Sequence, residues 1–357
     1  MLGHPIAHSL SPVLHRAAYQ VGGLTGWSYG AFDVAEAGLA GFLAGLKPGE
    51  WAGLSLTRPL KQVALDLVDH VEPLAGAVGA VNTLLFSPGG LVGANTDVYG
   101  MVQAIMTGDA GPHPEALAKP GGTPSGEALH QIKFATATIL GGGATAASAL
   151  AAVGQLGVTQ PVVWVRSLAR SAELIKAAAR MGVVPRFRVW PGGPAPATDA
   201  AVPTPVPTGH PAVAGSPSHP ADRAAISQDP LIQFGSTVAL PGQVTVPPSH
   251  PADRAAISQD PASNPTWHGT DLVISTLPAG AADSLAADLA GLDLTGRVLL
   301  DVAYSPWPSP LAQAWTAAGG LVASGLDMLL YQAAEQFRLM TGQPAPIEAM
   351  RTALASS

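Results

Sequence analysis

FATATILGGGATAASALAAV, residues 134–153, decides the fold of the second half of the chain. FATATIL is a short apolar run with β-branched residues, bounded by a turn, and reads as a buried strand. Three glycines follow it, and then an Ala-rich stretch with no breaker, which reads as a helix. The alternation continues outward: PVVWV at 161–165 as a strand, SLARSAELIKAAARM at 167–181 as a helix and PRFRVW at 185–190 as a third strand. DLVIST (271–276) and RVLLDVAY (297–304) supply later strands, with SLAADLAGL (284–292) and PLAQAWTAAG (310–319) as helices. Strand–helix repetition of this kind implies a parallel, doubly wound sheet.

Upstream the pattern is different. SLSPVLHRAAYQV opens a helix with Ser11 as its cap and Pro12 just inside it. AVNTLLF, the turn SPGG and LVGANT read as a hairpin. Pairing Phe86 with Leu91 across that turn also pairs Asn82 with Asn95, two residues that strands deplete. Asp97 follows them immediately and opens the helical run VYGMVQAIM. As a favoured helix cap it has a purely structural explanation. Asn82, Asn95 and Asp97 together make a polar group at one end of an apolar sheet, which suits a polyhydroxylated ligand.

SLTRPLK, residues 55–61, is the other unusual stretch. Pro59 suits the first helical position, which puts Lys61 in the first turn, where the helix dipole opposes a cation. A residue placed there against the dipole is either a tolerated surface lysine or one that chemistry requires.

The 357 residues are 47% hydrophobic and only 11% charged, with a net charge of −7 and no cysteine. That length suggests two domains. Disulfides, thiolate metal sites and cysteine nucleophiles are excluded, and no basic footprint points to nucleic acid. No apolar run is long enough for a membrane span and no signal peptide opens the chain, so a cytoplasmic protein acting on a small molecule is expected. Residues 108–132 are Pro/Gly-rich and read as a linker. Residues 191–266 break the strand–helix pattern; PSHPADRAAISQDP occurs there twice, at 217–230 and 248–261. Two polar, Pro-bounded copies cannot build a solenoid core, so the segment reads as a disordered surface insertion.

The glycine cluster Gly141-Gly142-Gly143-Ala144 sits between strand and helix, the context of a dinucleotide fingerprint. Arg166, Ser167 and Arg170 follow the next strand, where an NAD site would usually carry an acid, and suit a 2′-phosphate instead. Tyr304 lies just past the carboxyl end of a strand, where open α/β sheets bind ligands. Gln332 lies on the apolar helix GLDMLLYQAAEQF. His4, His8 and His15 lack the spacing and partners of a metal site and read as structural or surface residues.

Together these motifs resemble the shikimate dehydrogenase family. GHPIAHSLSP resembles its N-terminal signature, SLTRPLK its N-V-T-x-P-x-K motif, and GAVNT and NTDVYG match as they stand. GGGATAAS, RSLAR, DVAYSPWPSPL and GLDMLLYQAAEQF resemble its cofactor loop, phosphate clamp and closing segments. The resemblance implies an N-terminal α/β substrate domain (1–107, completed by 326–357) and a C-terminal Rossmann-like NADP-binding domain (133–325). It also implies reduction of 3-dehydroshikimate to shikimate with NADPH, by a monomer or homodimer without nucleic-acid or membrane partners. Ser9, Ser11 and Tyr304 would then hold the substrate carboxylate. Thr57, Asn82, Asp97 and Gln332 would contact the ring hydroxyls, and Lys61 and Asp97 would exchange the proton. Gly141, Gly142, Gly143, Ala144, Arg166, Ser167, Arg170 and Gly325 would line the cofactor. Three positions depart from the family pattern: Ser55 and Val165 each stand where Asn is usual, and Ala144 where a glycine is common. The chain also begins directly at the first signature. A related quinate/shikimate dehydrogenase using NAD, and a catalytically idle metabolite binder, are the alternatives the same residues leave open.

Overall fold

Strand β7 (Ala137–Leu140) occupies the middle of a six-stranded sheet, and its neighbours follow from the sequence around it. The structure, a computed structural model, describes residues 1–47, 49–107, 134–190, 267 and 269–357. The expected linker 108–132 and insertion 191–266, with its duplicated stretch, lie outside the described residues.

In chain order the first part comprises β1 (Leu2–Gly3), α1 (Ser11–Val21), β2 (Phe32–Asp33), α2 (Leu39–Ala44), β3 (Gly53–Ser55), α3 (Leu60–Val63), β4 (His70–Val71), α4 (Pro73–Val78), β5 (Thr83–Ser87), β6 (Gly90–Ala94) and α5 (Asp97–Thr107). The second comprises β7, α6 (Ala144–Gln155), β8 (Val162–Val165), α7 (Ala172–Met181), β9 (Arg186–Val189), β10 (Leu272–Ser275), β11 (Val298–Asp301), α8 (Pro310–Ala317), β12 (Leu321–Ser324), α9 (Gly325–Thr341) and α10 (Ile347–Ala355).

The six strands run in the order β12-β11-β10-β7-β8-β9, all parallel. Numbered from β7, this is the doubly wound nucleotide-binding order, and its switch point lies beside β7. The strands read as continuous apolar runs because helices cover both faces. One face packs on α5, α6 and α7 through Val98, Met101, Ile105, Ala149, Leu150 and Leu174. The other buries Trp164, Leu299, Leu311 and Trp315. Trp190, just past β9, and Trp267, just before β10, are both buried in this second cluster.

The first part is built on the sheet β3-β5-β6-β4. Its β5–β6 hairpin has the register expected from the sequence, Phe86 opposite Leu91, with Thr83 opposite Ala94 as the last pair before the two asparagines. β1 and β2 pair in parallel, and a bridge from Leu2 to Leu56 joins them to the end of β3.

Four local readings need correction. Helix α1 begins at Ser11 itself; its cap is Leu10, and Ser9 Oγ accepts from the Ser11 N–H at 3.4 Å. Helix α3 begins at Leu60 with Pro59 as its cap, one residue later than read, and continues directly into a 3₁₀ segment over Ala64–Asp66 with Lys61 in its first turn. The expected helix in SLAADLAGL is a 3₁₀ segment over Asp283–Leu289, confined between Gly280 and Gly291, both at positive φ. Strand β12 was hidden because LVAS continues without a break into α9. Ser324 there accepts from Asp327 N–H while Asp327 accepts from Ser324 N–H, a reciprocal cap.

Helix α9 leaves β12, the edge of the large sheet, and runs back across α5 into the first part. The two cross at Gly100, where a Cβ would stand 2.6 Å from the Met328 carbonyl oxygen and 3.0 Å from Gln332 Cβ. Gly100→Val therefore drives the helices apart. It should cost roughly 1–3 kcal/mol, the range for overpacking a closed interface, read as a lowered urea midpoint.

Candidate active site

The cleft-facing end of the first sheet gathers its polar side chains from four elements. Lys61 comes from α3, Asn82 from just before β5, Asp97 from the first turn of α5 and Gln332 from α9. Lys61 Nζ donates to Asp97 Oδ2 at 2.6 Å, with the lysine side chain 14% exposed and the carboxylate 1%. Asn82 Nδ2 donates to Asp97 Oδ1 at 2.8 Å, to Thr96 Oγ1 at 3.0 Å and toward Gln332 Oε1 at 3.3 Å. Both carboxylate oxygens are thus held, one by a cation that keeps some exposure and one by a buried amide.

Asp97 does not spend its side chain as a helix cap. Asn95 does that work: its Oδ1 accepts from Val98 N–H at 3.3 Å. Its Nδ2 goes to the Ala80 carbonyl at 2.9 Å and toward Ser148 Oγ on α6 at 3.4 Å. The predicted Asn82/Asn95/Asp97 group therefore divides. Asn82 and Asp97 meet Lys61 and Gln332, with Thr96 between them, while Asn95 holds the hairpin to α5 and α6.

Thr57 sits half-buried one turn before Lys61, beside Gly3, where a Cβ would stand 2.3 Å from Thr57 Cγ2. Ser9 and Ser11 lie at the start of α1, Ser9 partly exposed and Ser11 buried. Tyr304 packs against the cluster that includes Leu10, Leu14 and Leu326, so the loop after β11 comes to the same end of α1 as the serines. That loop is shaped by Asp301, a buried carboxyl accepting from Ser309 Oγ at 2.6 Å and Ala303 N–H at 3.2 Å. Burial pushes its pKa up, against the pull of those hydrogen bonds.

The three early histidines separate as expected. His4 is exposed and bonds Asp33, His8 is exposed, and His15 is fully buried, stacked on Tyr29 with centroids 4.1 Å apart. Among the described residues neither His15 ring nitrogen has a hydrogen bond of good geometry. Burial holds the ring neutral and pushes its pKa down to about 3, slightly opposed by nearby Gln336.

The residues present fit a dinucleotide. Gly141 has φ +124° and donates its N–H to the Trp164 carbonyl at 2.9 Å, which makes the tight turn after β7. At Gly142 a Cβ would stand 2.7 Å from Ser171 Oγ, while a Cβ at Gly143 would meet nothing within 4 Å. Gly143 caps α6 without offering a side chain, so the first-turn N–H groups from Ala144 onward are left for an anionic ligand. Arg166 and Arg170 are exposed after adjacent β8, with Ser167 between them. Gly325 lets α9 start against β11; a Cβ there would stand 2.2 Å from the Val302 carbonyl oxygen.

The sequence did not point to Tyr29, Thr83 or Gln336, and marked Ser55 only as standing where Asn is usual; the four share one buried hydrogen-bond chain. Gln336 had a signal, since it stands four residues after Gln332 on one helix face. Tyr29, in a loop between short elements, had none.

Residues 1–84 match the shikimate dehydrogenase substrate binding domain, and residues 325–355 match the shikimate 5'-dehydrogenase C-terminal domain. A shikimate dehydrogenase (NADP(+)) of Oleidesulfovibrio alaskensis is 31% identical, covering 100% of this chain and 94% of its own length. One from Geobacter sp. (strain M21) is 30% identical over 100% and 93%. The chain belongs to the shikimate dehydrogenase family. The crystal structure of Mycobacterium tuberculosis shikimate dehydrogenase superposes with a TM-score of 0.65 at 32% identity, covering 100% of this chain and 98% of that one. In this member of the family Ser55, where Asn is usual, is turned into the interior. It is fully buried, and its hydroxyl is taken up by Tyr29 and Gln336.

The buried neutral His15 has a consequence for acid stability. Its folded pKa lies below the ordinary 6.5, so the unfolded chain takes up a proton that the folded one refuses. The stability associated with this group is complete above pH 6.5 and declines toward about pH 3. Its steepest slope is about 1.4 kcal/mol per pH unit. His15→Phe, which keeps the stack on Tyr29, should flatten the acid limb of stability measured by urea unfolding across that range.

Proposed function

We propose that this chain catalyses the NADPH-linked reduction of 3-dehydroshikimate to shikimate, and its reverse, as a step of aromatic amino-acid biosynthesis. The observation that carries the reading is the 2.6 Å contact of Lys61 with the buried Asp97, beside Asn82 and Gln332, in a chain that also carries a glycine turn suited to a dinucleotide. Its two 30–31% identical relatives bear the name shikimate dehydrogenase (NADP(+)).

When bound, NADPH supplies the hydride. The chain supplies the rest. A ketone that gains a hydride becomes an alkoxide, and a proton donor must lie within hydrogen-bond reach. Lys61 is the partly exposed member of its pair, so its ammonium can turn a proton toward the substrate oxygen while Asp97 holds the nitrogen in place. In the reverse direction the same nitrogen takes the proton back. Asn82 secures the other oxygen of Asp97 and, with Gln332 and Thr57, offers donors and acceptors to ring hydroxyls. Ser9, Ser11 and Tyr304 hold the substrate carboxylate through hydroxyl hydrogen bonds. Gly141, Gly142, Gly143, Ala144 and Gly325 bring backbone close to the dinucleotide, and Arg166, Ser167 and Arg170 take its 2′-phosphate. A cytoplasmic setting belongs to the same proposal, because substrate and cofactor are small water-soluble anions.

Two measurements test this. Initial rates with shikimate and quinate, each with NADP and NAD, should be highest for shikimate with NADP; faster NAD-linked quinate oxidation would sink the assignment. Lys61→Ala should lower kcat by about 10²- to 10⁴-fold, the usual worth of a positioned acid–base group. NADPH affinity should remain within about two-fold of the parent protein, which also reports that the variant is folded.

A further inference from the structure

Behind the cleft a directed chain of hydrogen bonds runs through the first sheet to the side chains bordering Asp97. Tyr29 Oη donates to Ser55 Oγ at 2.6 Å, and Ser55 Oγ donates to Gln336 Oε1 at 2.8 Å. With its oxygen fixed as the acceptor, Gln336 turns Nε2 toward Thr83 Oγ1 at 3.0 Å and the Asn82 carbonyl at 3.4 Å. Thr83 Oγ1 then donates to Asn82 Oδ1 at 2.9 Å. Every side chain in the chain is buried: Ser55 0%, Thr83 0%, Asn82 1%, Gln336 4% and Tyr29 7% exposed. Each hydroxyl has one proton and each amide one oxygen, so the sequence of donors is determined from Tyr29 onward.

The array lies on four separate pieces of chain. Tyr29 belongs to the loop before β2, Ser55 ends β3 and Thr83 starts β5. Gln336 belongs to α9, which arrives from the large sheet. One turn earlier on the same face of α9 is Gln332, 3.3 Å from Asn82 Nδ2. Anchoring Gln336 therefore fixes how far α9 slides and rotates over the first sheet, and with it where Gln332 stands. The Thr96 N–H also holds Asn82 Oδ1, at 2.8 Å, so the backbone already sets which face the Asn82 amide presents. What Gln336 and Thr83 add is the placement of that amide relative to α9.

We propose that Tyr29, Ser55 and Gln336 form a positioning array that sets Asn82 and Gln332 against Asp97 from behind the cleft. None of the three touches substrate. Their hydroxyl and amide groups are consumed within the array, and they act through the residues that do touch it.

The consequence for turnover rests on the reaction proposed above; the consequence for Asn82 does not. Gln336→Met removes both ends of the amide at nearly constant volume, and Tyr29→Phe deletes one oxygen while keeping the ring on His15. For Gln336→Met, kcat/KM for shikimate should fall about ten-fold with KM for NADPH within two-fold. Added to Gln332→Ala, it should cost less than two-fold more, because both act through one contact. Values of kcat/KM within two-fold of the parent, or losses that multiply in the double variant, overturn the proposal. A second readout needs no turnover. The chain has three asparagines, Asn82, Asn95 and Asn264, so ¹⁵N-asparagine labelling gives three side-chain amide pairs. The Asn82 pair should shift in both Gln336→Met and Tyr29→Phe. An unmoved Asn82 pair overturns the array even if shikimate proves not to be the substrate.

Discussion

The close crossing of α5 and α9 is the constraint on which the rest of the molecule depends. α5 begins with Asp97 and buries Val98, Met101 and Ile105 against the large sheet. α9 begins at the edge of that sheet and buries Phe337, Leu330 and Ala334 against α1 and α10. Each helix therefore belongs to both halves, and only a glycine at position 100 lets them approach closely enough for Gln332 to reach the Asn82–Asp97 pair. Packing on this scale is dispersive and short-ranged. A displacement of one methyl group at the crossing is a displacement of the same size at the site.

Against that frame, the Lys61–Asp97 pair is an asymmetric arrangement. Asp97 is removed from water and needs partners for both oxygens, since an unpaired buried carboxylate is costly. Lys61 and Asn82 meet that need from opposite sides. The sheet end is consequently rigid around the carboxylate and open around the ammonium, which is the division of labour expected when one group holds and the other moves a proton.

Much of this was legible in the sequence. The strand–glycine–helix pattern at 134–153 carried the parallel sheet, and the hairpin register carried Asn82 to within reach of Asp97. Lys61 stood out for its place in the first turn of a helical segment, where the dipole opposes a cation, and the structure supplies the offsetting group, a buried carboxylate 2.6 Å away. What the sequence hid depends on contacts between segments far apart in the chain. Ser55 meets Gln336 across 281 positions, and no local period encodes that. The two-residue strands β1, β2 and β4 are likewise too short to show alternation, and take their form from their neighbours. Asn95 was grouped with Asn82 because strand register places them together; the structure separates them because each amide turns toward different unsatisfied backbone.

Trp190 and Trp267 carry a different implication. The connection between β9 and β10 must return from one edge of the sheet to its middle, and both of its ends are pinned by an indole in the same apolar cluster. The two indoles hold the ends of that connection in one apolar cluster whatever the length of chain between them. The sheet is thus insulated from the size of what lies between those two tryptophans. A chain can acquire a duplicated stretch there, as this one has at 217–230 and 248–261, without disturbing the register of the strands on either side.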